Sequence, residues 1–92
     1  MFVVKCILDP DKVIYLRNID DYSNDTLKNC VLHSYHRIRS IGYHFSIDFA
    51  FTDDIRNAEK FLIKEIAINC SNILSIITSE DFKIERVDYE MF

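Results

Sequence analysis

From position 43 to 51 the chain alternates without a break. Tyr43, Phe45, Ile47, Phe49 and Phe51 are large and apolar, while His44, Ser46, Asp48 and Ala50 between them are small or polar. A period of two is the pattern of a half-buried β-strand, because successive side chains leave opposite faces of the sheet. Such a strand needs neighbours in a sheet and a second layer over its apolar face. The 92 residues are enough for one domain, 1–92, and 49% of them are apolar. A chain of this size buries roughly 60–65% of its unfolded surface on folding, so a packed core closes without a disulfide or a metal.

The remaining elements follow from turns, caps and periodicity. Phe2–Leu8 reads as a strand, Asp9-Pro10-Asp11-Lys12 as a turn and 13–16 as a second strand. Residues 17–25 are polar and irregular. A first helix is expected over 26–41, with Asn24 or Asp25 as N-cap and Gly42 ending it. Its core stripe is Leu27, Cys30, Val31, Ser34, Tyr35, Ile38 and Ile41. Thr52-Asp53-Asp54 is expected to open a second helix that extends to about Asn69, with Ile55, Ala58, Leu62, Ile66 and Ile63 facing the core. Phe61 and Ile68 then point away from that stripe. Ser71-Asn72 reads as a break, 73–78 as a strand, Glu80-Asp81 as a turn and 82–92 as the last strand. In that strand Phe82 and Ile84 share one face, whereas Val87, Tyr89 and Met91 share the other. A bulge near Glu85-Arg86 would restore one core face.

The predicted order is ββαβαββ. It implies an α+β two-layer sandwich, with two helices on one face of a mixed or mostly antiparallel sheet.

Charge and cysteine usage narrow the function classes. Fifteen acids against eleven bases give a net charge of −4, which disfavours a general nucleic-acid binder. No apolar run reaches the roughly 18–20 residues that cross a bilayer, so no membrane association is expected. The first residues lack the pattern of a secretory signal. Cys6, Cys30 and Cys70 are odd in number and widely spaced, as expected of buried free thiols in a reducing, cytoplasmic setting. Fourteen isoleucines stand against three alanines; this bias toward AT-rich codons suggests a phage or mobile-element origin.

Catalytic furniture is sparse. His33 and His36 lie three apart on one helix, yet no cysteine or carboxylate shares their face, so no metal site is expected. His44 and Asp48 sit about 13 Å apart along a strand, too far for a triad with Ser46. With one glycine there is no phosphate loop. No cofactor and no enzymatic activity are expected. A small enzyme using His33, His36 or His44 is the weakest reading.

Two surface features carry the functional expectation. The outward face of the first helix holds Lys28, His33, His36, Arg37 and Arg39 around Leu32, with no acid between Asp25 and Asp48. On the second helix, Phe61 and Ile68 are placed as apolar anchors. The acids gather in connections and toward residue 90; they serve solubility and capping, and their sharper reading is an edge that imitates a nucleic acid. Together these features point to a stand-alone interaction module that binds a macromolecule, a protein first of all, and regulates or inhibits it. The partner-binding set is Lys28, Leu32, His36, Arg37, Arg39, Phe61 and Ile68. Self-association into a homodimer is the second form of this expectation, motivated by Phe61, Ile68 and an open sheet face bearing Val3 and Ile7. A small nucleic-acid binder using the basic helix is the alternative.

Overall fold

A computed structural model describes residues 1–8, 12–17, 23–41 and 50–88. The predicted turn at 9–11, most of the polar segment 17–25, Gly42, and the strand 43–51 apart from its last two positions lie outside the described residues. So do His44, Ser46, Asp48, Tyr89 and Met91.

The molecule is an α+β fold, built among the described residues on one antiparallel sheet of four strands. Strands β1 (Phe2–Leu8), β2 (Lys12–Leu16), β3 (Phe51–Thr52) and β4 (Phe82–Arg86) are arranged in the order β3-β2-β1-β4. β1 and β2 form a hairpin in which Lys5 faces Tyr15 and Leu8 faces Lys12. β4 pairs with the other side of β1, from Phe2·Arg86 to Cys6·Phe82.

Two helices supply the second layer. Helix α1 is a continuous run of Asn24–Thr26, a π-helical turn Leu27–Val31 and Leu32–Ile41. Its N-cap is Ser23, one position earlier than expected: the Ser23 hydroxyl accepts from the Thr26 amide at 3.3 Å. Helix α2 spans Lys64–Thr78. Val4, Cys6, Leu8, Ile14, Leu16, Phe51 and Phe82 from the sheet close a single core with Leu27, Val31, Tyr35 and Ile38 of α1 and Ala67, Cys70 and Leu74 of α2. The expected stripe of α1 is thus buried at Leu27, Val31, Ser34, Tyr35 and Ile38.

The second helix is displaced from its expected position. Residues 55–57 form a short 3-10 turn, capped by Asp54 accepting from the Arg56 amide at 3.0 Å. Residues 58–61 are extended and join the sheet, Ala58 bridging Arg17 and Phe61 bridging Phe2. The apolar spacing Ala67, Cys70, Ser71, Leu74, Ile77 runs straight through Ser71-Asn72, so the predicted break is absent and 73–78 is helical rather than a strand. The serine does not end the helix because its hydroxyl bonds the Ile68 carbonyl at 2.8 Å, satisfying itself within the turn.

The last strand also differs. β4 keeps a regular register with β1, and the Val87 amide continues it to the Met1 carbonyl at 2.9 Å, so there is no bulge at Glu85-Arg86. Val87 points to the outer face because a second, smaller apolar cluster receives it there, formed with Val3 and Ala58 and edged by Met1, Tyr15 and Ile55. The outer face is therefore not open at Val3, which is fully buried, although Ile7 stays 50% exposed.

Candidate interaction surface

Helix α1 presents the cationic residues as expected. Lys28, His33, His36, Arg37 and Arg39 are all exposed, on the side away from Leu27, Val31, Tyr35 and Ile38. Leu32 is only half-exposed among them. The His36 ring stands edge-on to Tyr35, centroids 5.7 Å apart. No group of three or more His, Cys, Asp or Glu side chains able to hold a metal occurs among the described residues.

The two expected apolar anchors separate. Phe61, placed outward by a helical reading, is 6% exposed, because in an extended chain it lies three residues from Ala58 and so turns to the opposite face. Its amide and carbonyl both bond Phe2, at 2.8 and 2.9 Å, and its ring joins the main core. Ile68 is exposed at 37%, on α2. Phe61 is thus a core residue rather than the outward anchor expected.

A different apolar surface takes its place. Leu62 is 80% exposed, Ile63 55% and Ile66 45%. They were expected in the core stripe, but the shift of the helix start to Lys64 moves that stripe to Ala67, Cys70, Ser71 and Leu74. Leu62 and Ile63 form the bend between the Phe61 bridge and α2, with extended geometry at Ile63. Glu59, Lys60, Lys64 and Glu65 flank them in sequence, making an apolar centre with a charged border. The sequence signal was present: once Ala67–Leu74 is taken as the buried stripe, Ile66 falls on its flank and Leu62-Ile63 precede the helix.

Between the helices runs a polar seam. The Tyr35 hydroxyl donates to Glu80 Oε1 at 2.7 Å, tying α1 to the connection after α2. Burial, and then this bond to a carboxylate, hold the Tyr35 phenol well above its ordinary pKa. Below the seam, burial pushes the Cys6 thiol up to about 11, helped by Glu80 and Asp81. Cys70 is raised as well, chiefly by burial. Both thiols are free and buried, and a raised thiol pKa makes a poor nucleophile at neutral pH. No helix among the described residues is long and apolar enough to cross a membrane.

No protein-family model, curated protein or solved structure matches the chain.

Proposed function

We propose that this domain is a stand-alone interaction module that docks on another protein and regulates or inhibits it, with no chemistry of its own. The observation that supports this reading is the exposed Leu62–Ile63–Ile66 cluster with its charged border. Contiguous apolar surface on a small domain usually marks an interface, and an apolar centre inside a polar rim is the common anatomy of protein contacts. Fully covering one such side chain contributes roughly 1.5–3 kcal/mol. Buried free thiols suit a reducing compartment, which makes a cytoplasmic partner the natural one.

The exposed cations of α1 favour a second reading, docking on a nucleic acid. Lys28, Arg37 and Arg39 would neutralise about three phosphates, for a salt slope near −3. That gives weak, sequence-independent affinity from a chain whose net charge is −4.

Capture from cells of the source organism separates the two. The wild type and an Arg37→Ala/Arg39→Ala variant are expected to retain the same protein, which a folded Leu62→Ser/Ile63→Ser/Ile66→Ser variant loses. Retention of nucleic acid that depends on the arginines and ignores the triple substitution overturns the protein-partner reading.

A further inference from the structure

β4 is the terminal strand of the sheet, and among the described residues nothing pairs with its outer side. The direction of its backbone groups can be read from Ser75. The Phe82 amide donates to Ser75 Oγ at 3.0 Å, and Ser75 Oγ reaches the Phe82 carbonyl at 3.1 Å. Phe82 therefore turns both main-chain groups away from β1 and onto α2. In an antiparallel ladder this orientation recurs at every second residue, so Ile84 and Arg86 also aim their N–H and C=O outward. Lys83, Glu85 and Val87 hold the bonds to β1, as the Val87 amide on Met1 shows. Among the described residues Ser75 blunts the edge at Phe82 and nothing pairs with it at Ile84; an open edge is a template for another strand.

We propose that a second copy of this chain pairs there, β4 against β4 about a two-fold axis at Ile84, the two Ile84 residues exchanging both main-chain bonds while Ser75 keeps Phe82 from Arg86 of the second copy. The argument is charge. Antiparallel pairing centred on Ile84 sets Lys83 directly opposite Glu85 of the second copy, and Glu85 opposite its Lys83. Both are close, non-hydrogen-bonded positions on the outer face. Within its own chain Glu85 is ion-paired with Lys5 at 3.1 Å, and Lys83 stands opposite that same Lys5. In this register Glu85 would sit between Lys5 and Lys83 of the second copy, so β4 is complementary to itself. A shift that exchanges bonds between Ile84 and Arg86 sets Glu85 against Glu85 instead, which like charge disfavours.

Helix α2 adds apolar surface beside the same edge. Ile68 lies two turns before Ser75, on the same flank of α2, which the Ser79–Asp81 connection sends back along β4. Two turns are about 10 Å, the length of three strand residues, so Ile68 overlooks the open end of β4. Ile68 is 37% exposed and Ile84 is partly buried at the core margin; the second copy would cover both. Ile66 is about 200° around the helix from Ile68, so this contact leaves the Leu62–Ile63–Ile66 cluster free. Self-association and the hetero-partner can therefore fail independently.

Sedimentation equilibrium of the purified chain tests the pairing. Wild-type mass is expected to double with concentration. Ile84→Pro removes an outward N–H, which an edge strand tolerates, together with a side chain at the core margin; it is expected to sediment as a folded monomer. Lys83→Glu and Glu85→Lys should each weaken the dimer about tenfold through the lost and reversed pairs, whereas mixing the two variants restores complementary charges and the dimer. A wild type that stays monomeric at the highest attainable concentration overturns the proposal. So does a dimer indifferent to these substitutions. Should Ile84→Pro unfold by circular dichroism, the charge-reversed pair decides alone: if its mixture is no tighter than either variant, the Ile84-centred register is wrong.

Discussion

The two helices rest on the same face of the same sheet and turn opposite chemistry to the solvent. α1 shows Lys28, His33, His36, Arg37 and Arg39; α2 and the bend before it show Leu62, Ile63, Ile66, Ile68 and Ile76. Their inner faces are alike, each held by a short row of fully buried apolar side chains. The outer face of α1 can be left wet at no cost, since charge is solvated by water, and any docking there fades as salt screens it. Apolar side chains left wet on α2 forgo the stabilisation that burial would bring, which a partner supplies and salt does not remove. The contrast predicts that docking on α1 would be salt-sensitive and docking on the α2 side salt-resistant.

The sharpest way to break this contrast uses adjacent residues. Phe61 and Leu62 are neighbours in the chain, one 6% and the other 80% exposed. Phe61→Asp buries a carboxylate in the core and is expected to cost more than about 4 kcal/mol, enough to unfold a small domain. Leu62→Asp is expected to move stability by no more than about 0.5 kcal/mol. Urea melts of both variants check this. Similar midpoints would mean that the bend into α2 is not where the structure places it, and the apolar surface would go with it.

A second test asks whether both helices hold the sheet as one layer. Cys6 sits beneath the seam between them with its pKa raised to about 11. A raised pKa means the folded state favours the thiol. The stability this contributes is complete below the unfolded value near 9 and is lost as pH rises through 11. A loss on the order of 2 kcal/mol is expected over that range, with Tyr35 extending it to higher pH. Urea midpoints between pH 8 and 11.5, for the wild type and Cys6→Ala, measure it. A variant that loses stability as steeply as the wild type would show that the thiol is not buried under the seam.

The smallest effect sharpens the contrast at the helix ends. α1 is followed by Gly42, but α2 ends on Ser79 in the left-handed conformation, φ 60°. Its amide closes on the Ser75 carbonyl at 3.0 Å. A side chain is strained there and glycine is not, so Ser79→Gly is expected to gain about 0.5 kcal/mol after the extra entropy of unfolded glycine is counted. Thermal melts would show a rise of a few degrees; a fall would mean that the serine side chain is needed at the cap.

How much of this was legible in the sequence depended on how local the signal was. α1 reads correctly in its stripe and extent, although its N-cap falls at Ser23, because apolar periodicity and length agree within one stretch of chain. The β1–β2 hairpin reads for the same reason. α2 was misplaced because Thr52-Asp53-Asp54 is a sound helix start that serves only a 3-10 turn. The tertiary fact that Ala58 and Phe61 bridge Arg17 and Phe2 claims the residues that follow. Isoleucine-rich 73–78 looked like a strand by composition, and packing on Phe82 and the core overrode that preference. For the surface, the cations of α1 were visible, since burial of one helix face implies exposure of the other. Leu62, Ile63 and Ile66 were not, because an apolar residue in a plausible helix is assigned inward by default. The Lys83–Glu85 alternation carries no signal in the sequence alone, because its charge matters only once β4 is placed at the end of the described sheet.

The central strand of the sheet has a consequence for how the chain is made. β1 leaves the ribosome before its sheet partners and can close its hairpin with β2 within microseconds. Its other partner arrives only when the far end emerges, since Met1 meets Val87, 86 positions away. At roughly 5–20 residues per second the interval is several seconds. During it the main-chain groups of Val3 and Lys5 that β4 will pair stay open, and Val4 and Cys6, destined for the core, stay uncovered in a hairpin that is barely stable alone. The nascent chain therefore passes through a sticky stage that the finished protein conceals. Whatever holds β1 during synthesis, chaperone or neighbouring copy, acts before β4 exists to take its place.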